Sequence, residues 1–272
     1  MSVLYLRLYG GLGNQFFQFS AALKLAQKNM VSKIIIDDSS LDNYQVKRNN
    51  ELFNFFDLSH ICFDIDFSDS IFLKMRVPKF FPLKVKNFLF VSDKNFLYFI
   101  CNELSDRNLR FYLDGYFQDI WSFSDFELHV EFLKKILINS NFSPSDNCVI
   151  HIRGGDFVTL GWNASSSKDY YHNAILYMKN NFGVQSFSVV TDDLDYAHDV
   201  LGSVDCNYKV IGGSLFDDFH LIGAHKYRIL SSSTFAFWAS ALGDNCESFV
   251  IAPLEWFPGK LRNILLPNEI QF

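Results

Sequence analysis

His151, Arg153 and Asp156 fall within one short stretch, "HIRGGDF", directly behind the apolar run Cys148–Ile150. A guanidinium at the end of a buried strand needs an anion, because an unpaired buried charge is far too costly. Arginine grips two phosphate oxygens at once, in a geometry that lysine cannot copy. His151 and Asp156 either orient that arginine or contact the ligand themselves. The alternative is an internal Arg153–Asp156 pair closing a tight turn. Two other stretches carry similar chemistry. In "GGLGNQ" (Gly10–Gln15), Gly11 and Gly13 let a ligand approach the backbone, and the helix start after them offers unpaired N–H groups to an anion. A dinucleotide fingerprint would need a third glycine where Phe16 stands. Asp37 follows as an acidic residue, so an NAD reading stays open. In "SSSTFAFWAS" (Ser231–Ser240), Ser232, Ser233 and Thr234 can cap a helix or grip a phosphate, while Phe235, Phe237 and Trp238 pack it. The D-x-D pairs Asp64–Asp66 and Asp193–Asp195 raise a rival, since a metal-dependent sugar transferase uses such a pair on Mg²⁺ or Mn²⁺. No Gly-x-Ser-x-Gly elbow is present.

Strand–loop–helix units must position these loops. Residues 3–8 read as a strand and 15–28 as a helix, with Phe16, Phe19, Ala22, Leu23 and Ala26 on one face. A short strand at 33–36 ends at Asp37 and Asp38. From 41 to about 141 the periodicity blurs into aromatic residues. Within that region Phe72–Val91 is basic, aromatic and broken by two prolines, either an irregular surface layer or a peripheral membrane contact. Alternation returns at Cys148, with strands expected at 148–152, 186–191, 208–211, 228–230 and 249–251. Helices are expected at 170–180, from about 194, at 219–224 and after Ser231. Strands alternating with helices indicate parallel sheets. The expected fold is α/β, two Rossmann-type doubly wound domains, 1–143 and 144–272, facing a cleft.

Composition narrows the function. A chain of 272 residues, 49% hydrophobic with 31 phenylalanines, has ample core material. A net charge of −6 argues against nucleic acid as a partner. The five cysteines are odd in number, widely spaced and without a Cys-x-x-Cys pair, which fits reduced thiols in a cytoplasmic protein. The N-terminal apolar run carries Arg7 and is too short for a signal peptide, and no window reaches 18 uncharged apolar residues.

Taken in order, the loops resemble the α-1,2-fucosyltransferases of glycosyltransferase family 11. "GGLGNQFFQFSAAL" is similar to that family's opening, "HIRGGDF" to its H-x-R-R-G-D-Y, "VTDD" (Val190–Asp193) to its F-S-D-D, and "SSSTFAFWAS" to its serine motif. "GYFQD" (Gly115–Asp119) and "IAPLEWF" (Ile251–Phe257) look like further family landmarks. The resemblance implies a GT-B-like fold and transfer of L-fucose, with inversion and without a metal, from GDP-fucose to the 2-hydroxyl of a terminal galactoside. The setting it implies is bacterial O-antigen or capsule synthesis, with an acceptor glycan that can be lipid-linked at the inner face of the plasma membrane. The N-terminal domain would take the acceptor, with Gln15 in contact. Gly11, Gly13, Asn14, Arg153, Asp192, Asp218, Ser232, Ser233 and Thr234 would bind the donor, and Arg153, His151 and Asp156 would serve the reaction. Asp218 would accept hydrogen bonds from the guanine edge; its other reading is a helix cap. Two residues depart from the pattern: Gly154 replaces the second arginine, and Phe237 replaces a tryptophan. Gly154 keeps open a nucleotide-binding module without turnover, beside the NAD-dependent oxidoreductase.

Overall fold

The computed structural model describes residues 1–42, 49–68, 84–85, 87–102, 104, 108–138, 145–202, 204–243 and 247–272. The chain divides into two compact units, Met1–Ile138 and Asn139–Phe272.

The first unit contains β1 (Val3–Arg7), α1 (Leu12–Lys28), β2 (Lys33–Asp37), β3 (Asp64–Phe67), β4 (Lys84–Val85), β5 (Phe88–Val91), α2 (Phe96–Cys101), β6 (Arg110–Leu113) and α3 (Phe123–Ile136). Its sheet runs β3-β2-β1-β6-β5-β4, with β4 antiparallel to β5 and the other neighbours parallel. Leu4 and Leu6 of β1 and Ile34 and Ile36 of β2 are fully buried. Phenylalanines supply much of the packing: Phe16 of α1 meets Phe55 and Phe56 edge to face, and Phe19 meets Phe53.

Two expectations fail in this unit. α1 starts three residues early, so Gly13 and Asn14 belong to its first turn rather than to a loop. Gly11 is the N-cap residue and offers no side chain to it. The region from 41 to 141 is not simply irregular, since β3, β5, β6, α2 and α3 come from it. Phe88–Val91, the end of the stretch read as a surface layer or membrane contact, is a strand inside the sheet with Leu89 and Val91 buried. Most of the rest of that stretch lies outside the described residues. Among the described residues no helix is long and apolar enough to cross a membrane.

The second unit contains β7 (Ser145–Ile152), α4 (Lys168–Phe182), β8 (Ser186–Thr191), α5 (Leu194–Leu201), β9 (Asn207–Val210), α6 (Leu215–Ala224), β10 (His225–Ile229), α7 (Thr234–Leu242) and β11 (Phe249–Ala252). β12 (Glu255–Phe257), β13 (Lys260–Leu261) and β14 (Glu269–Gln271) follow. The parallel sheet runs β14-β11-β10-β7-β8-β9. Four of its helices start on a polar cap: Ser167 for α4, Asp193 for α5, Ser214 for α6 and Ser233 for α7. Ile150, Ile152, Val189, Ile229 and Ile251 of the strands pack with Tyr171, Ile175, Met178, Val200 and Leu201 of the helices. In both units the first strand lies in the middle, and the winding reverses beside it, between β1 and β6 and between β7 and β10. Ligands of open α/β sheets seat outside the carboxyl ends of strands at such reversals.

Candidate functional site

At the reversal in the second unit, β7 delivers His151 and Arg153, and β10 delivers the serine loop. His151 Nδ1 lies 2.7 Å from Ser231 Oγ, so a hydrogen bond ties the two strand ends together. Burial, helped by the neighbouring Arg153 charge, lowers the His151 pKa to about 3, and the ring is therefore neutral at ordinary pH. α4 braces both strands. The Tyr171 hydroxyl donates to the His151 carbonyl, and that of Tyr170 donates to the carbonyls of Leu230 and Ile251.

Arg153 pairs with two carboxylates, NH2 at 2.5 Å from Asp156 Oδ1 and NH1 at 2.7 Å from Asp192 Oδ2. The internal pair weighed against phosphate binding is thus present, with Asp192 as a second partner. The glycines after Arg153 face the same β8–α5 turn. Gly154 N donates to Asp192 Oδ1 and Gly155 N to Asp193 Oδ2. A Cβ at position 154 would overlap Cβ of Asp193 and lie 2.9 Å from its Cγ. Gly155 has φ +48°, in the region that favours glycine. Close packing against Asp193 therefore leaves no room for a side chain at position 154 in this chain.

α7 begins beside this loop. Ser233 caps it by accepting from Ala236 N, while Ser232 is buried and its Oγ has no hydrogen-bond partner among the described residues. A buried hydroxyl left unpaired at a helix N-terminus suits an anionic ligand. Thr234 opens the helix. Phe237 and Trp238 are buried in packing, as expected, while Phe235 stands between the His151 and Phe219 rings. α6 starts at Leu215, four residues earlier than expected, with Ser214 and Asp217 forming a reciprocal capping box. Asp218 is therefore not the cap. Its half-buried carboxylate accepts from the Gly213 N–H, and desolvation raises its pKa.

Gly11, Gly13, Asn14 and Gln15 lie in the other unit, at the start of α1. Gln15 is 1% exposed and donates to the carbonyls of Gly10 and Asn49, so it supports that turn from beneath. One aspartate of each D-x-D pair is engaged structurally. Asp66 pairs with Lys33, and Asp193 caps α5, where backbone N–H groups of Tyr196 and Gly155 lower its pKa. Among the described residues no group of three or more His, Cys, Asp or Glu is arranged to hold a metal ion. Sequence reasoning overlooked Ser231 as the partner of His151, although it stands first in the serine run.

Two Rossmann-type units, the second carrying a guanidinium and a hydroxyl-rich helix start at its strand reversal, make this a GT-B glycosyltransferase fold. The family model described as glycosyl transferase family 11 matches residues 84–262, and the chain belongs to that family. It is 29% identical to the O-antigen biosynthesis glycosyltransferase WbnK of Escherichia coli, over 96% of this chain and 97% of that one. An α-1,2-colitosyltransferase of Escherichia coli is 27% identical, over 98% and 97%. Among solved structures, POFUT1 in complex with GDP-fucose matches with TM-score 0.51 and 12% identity, covering 99% of this chain and 98% of the other. Family membership displaces the oxidoreductase alternative.

Proposed function

We propose that this glycosyltransferase moves L-fucose, with inversion, from GDP-fucose to the 2-hydroxyl of a terminal galactoside during synthesis of a bacterial surface polysaccharide. The names of the two curated relatives support the O-antigen setting and the 1,2 linkage. The observation that carries the donor reading is the His151–Ser231 hydrogen bond, which holds the Arg153 loop and the α7 N-terminus at one strand end. The hard step is departure of the diphosphate, since negative charge grows on the β-phosphate as the sugar carbon becomes cation-like. Arg153, the first N–H groups of α7 and the Ser232 hydroxyl are the groups available there. Preorganised donors of this kind contribute about 3–4 kcal/mol each at most. Arg153 reaches phosphate by exchanging Asp192 or Asp156 for it, the displaced carboxylate turning to solvent. His151, neutral and bound to Ser231, acts by shaping the site rather than as a charged acid.

No divalent metal is required in this reading, because Asp193 is committed to capping α5 and the Gly155 N–H. A screen of nucleotide sugars read out as GDP release, with a galactoside acceptor and with or without EDTA, tests the proposal. Release from GDP-fucose at an EDTA-insensitive rate supports it. Activity lost on chelation and restored by Mn²⁺ would move Asp193 and Asp195 to a metal. A preference for the colitosyl donor is the second reading, favoured by the relative of that activity. GDP bound without release would leave the nucleotide-binding module. Asp218 is proposed to read guanine. Asp218→Asn, which places a donor where only acceptors fit, should weaken GDP binding at least tenfold by calorimetry. Ser214 caps α6, so the substitution leaves the helix intact. Unchanged affinity would remove Asp218 from the donor site.

A further inference from the structure

The strand reversal of the first unit has its own cluster, built on the "GYFQD" loop; of its side chains, the donor reading uses only Asn14. Tyr9 follows β1 and Tyr116 follows β6, and their rings meet edge to face with centroids 4.8 Å apart. Beside them Gln118 Nε2 donates to Asn14 Oδ1 over 3.0 Å, joining the loop to the first turn of α1. All four side chains are partly exposed.

The loop is held in a conformation that costs energy. Phe117 is buried at φ +56°, unusual for a bulky residue. Asp93, beyond β5, accepts the N–H groups of both Tyr116 and Phe117, and a Cβ at Gly115 would overlap its carboxylate. Such over-determined strain accumulates where side chains must stand in fixed places. The chemistry presented here is not that of a phosphate site. Burial, with the nearby Asp114, Tyr116 and Asp93, pushes the Tyr9 pKa up, and the Arg7 charge is taken by Asp114 at 3.3 Å. Gln15 Oε1, next along α1 from Asn14, and Asp37 Oδ2, at the end of β2, are buried without a donor among the described residues. Acceptors in excess, a carboxamide pair and an aromatic edge suit a neutral ligand rich in hydroxyls. We infer that Tyr9, Asn14, Tyr116 and Gln118 form a sugar subsite, with Asp93 as its positioning residue. Calling that sugar the acceptor rests on the transferase reading; the affinity for a neutral pyranoside does not.

Saturation-transfer NMR with methyl β-D-galactopyranoside, on the full chain, tests binding without donor or turnover. With the wild type, the galactoside is expected to receive saturation transfer on its C–H face. Tyr116→Ala and Gln118→Ala should each weaken sugar affinity at least fivefold, with GDP affinity by calorimetry kept within twofold. If Tyr116→Ala loses GDP binding as well, Gln118→Ala, which removes only a partly exposed amide, decides. Asp93→Asn should raise the acceptor KM at least fivefold while kcat and the donor KM hold within twofold, a split that general loosening would not produce. Unchanged sugar affinity in the variants, or wild-type protein that binds GDP but not the galactoside, overturns the subsite. Failure to bind GDP counts against the donor reading alone.

Discussion

Arg153 divides its guanidinium between Asp156 of its own loop and Asp192 of the β8–α5 turn. A lysine ammonium can keep the charge and hold one of these carboxylates, but not both at the spacing of a fork. Arg153→Lys should therefore stay folded and lose at least tenfold in kcat/KM; near-normal turnover would make Arg153 a structural tie only. The neighbouring glycine yields the opposite kind of prediction. Restoring the family's arginine through Gly154→Arg should not restore function, because a side chain there runs into Asp193, the cap of α5. Overpacking of this sort costs about 1–3 kcal/mol. A drop of several degrees in melting temperature, without gain in turnover, is expected; unchanged melting with faster turnover would show that Asp193 yields. The chemistry of "HIRGGDF" is legible from residue types alone. Its glycines are not, since their reason lies 38 positions away, at Asp192 and Asp193.

At the scale of elements, α7 separates capping from binding in adjacent hydroxyls. Ser233 caps the helix, so Ser233→Ala should cost about 0.5–2 kcal/mol in urea unfolding. Ser232 has no partner to lose among the described residues, so Ser232→Ala should leave stability within about 0.5 kcal/mol while weakening GDP binding severalfold. Equal destabilisation by the two, with GDP affinity intact, would remove Ser232 from the phosphate site. Behind the same helix, buried Arg228 donates to the carbonyls of His225, Gly223 and Ser240, fastening the ends of α6 and α7 to β10. The helix–strand alternation after Cys148 is readable because β7, β8 and β11 carry apolar runs and α4 to α7 open on polar caps. Between 41 and 141 the strands have four residues or fewer, too short for a period, and phenylalanine fills core and surface alike. The Tyr9–Tyr116 cluster stays hidden for a related reason: β1 and β6 become neighbours only once the sheet has formed.

At the scale of the whole molecule, each unit buries a histidine that must stay neutral. His129 of α3 packs 5.0 Å from the Trp121 ring, and burial, with the Lys24 charge, lowers its pKa to about 3. His151 is lowered to about 3 in the second unit, and burial also lowers His220 and His225. Between about pH 6.5 and 3 the unfolded chain binds protons that the folded chain refuses, so stability falls as pH falls through that window. From pH 7 to 5 the loss is about 2 kcal/mol for each fully buried histidine, or about 4 for the two. Asp93 and Asp218, raised by burial, act with the opposite sign, because they take up protons more readily folded than unfolded. Their compensation grows as pH falls toward the carboxylate range and opposes the histidine loss. Urea unfolding at the two pH values measures it. His129→Phe keeps an aromatic ring beside Trp121 and removes one titrating group, so it should cut the pH 7 to 5 loss by about 2 kcal/mol. A variant as acid-sensitive as the wild type would mean that His129 takes up its proton in the folded state at an ordinary pH.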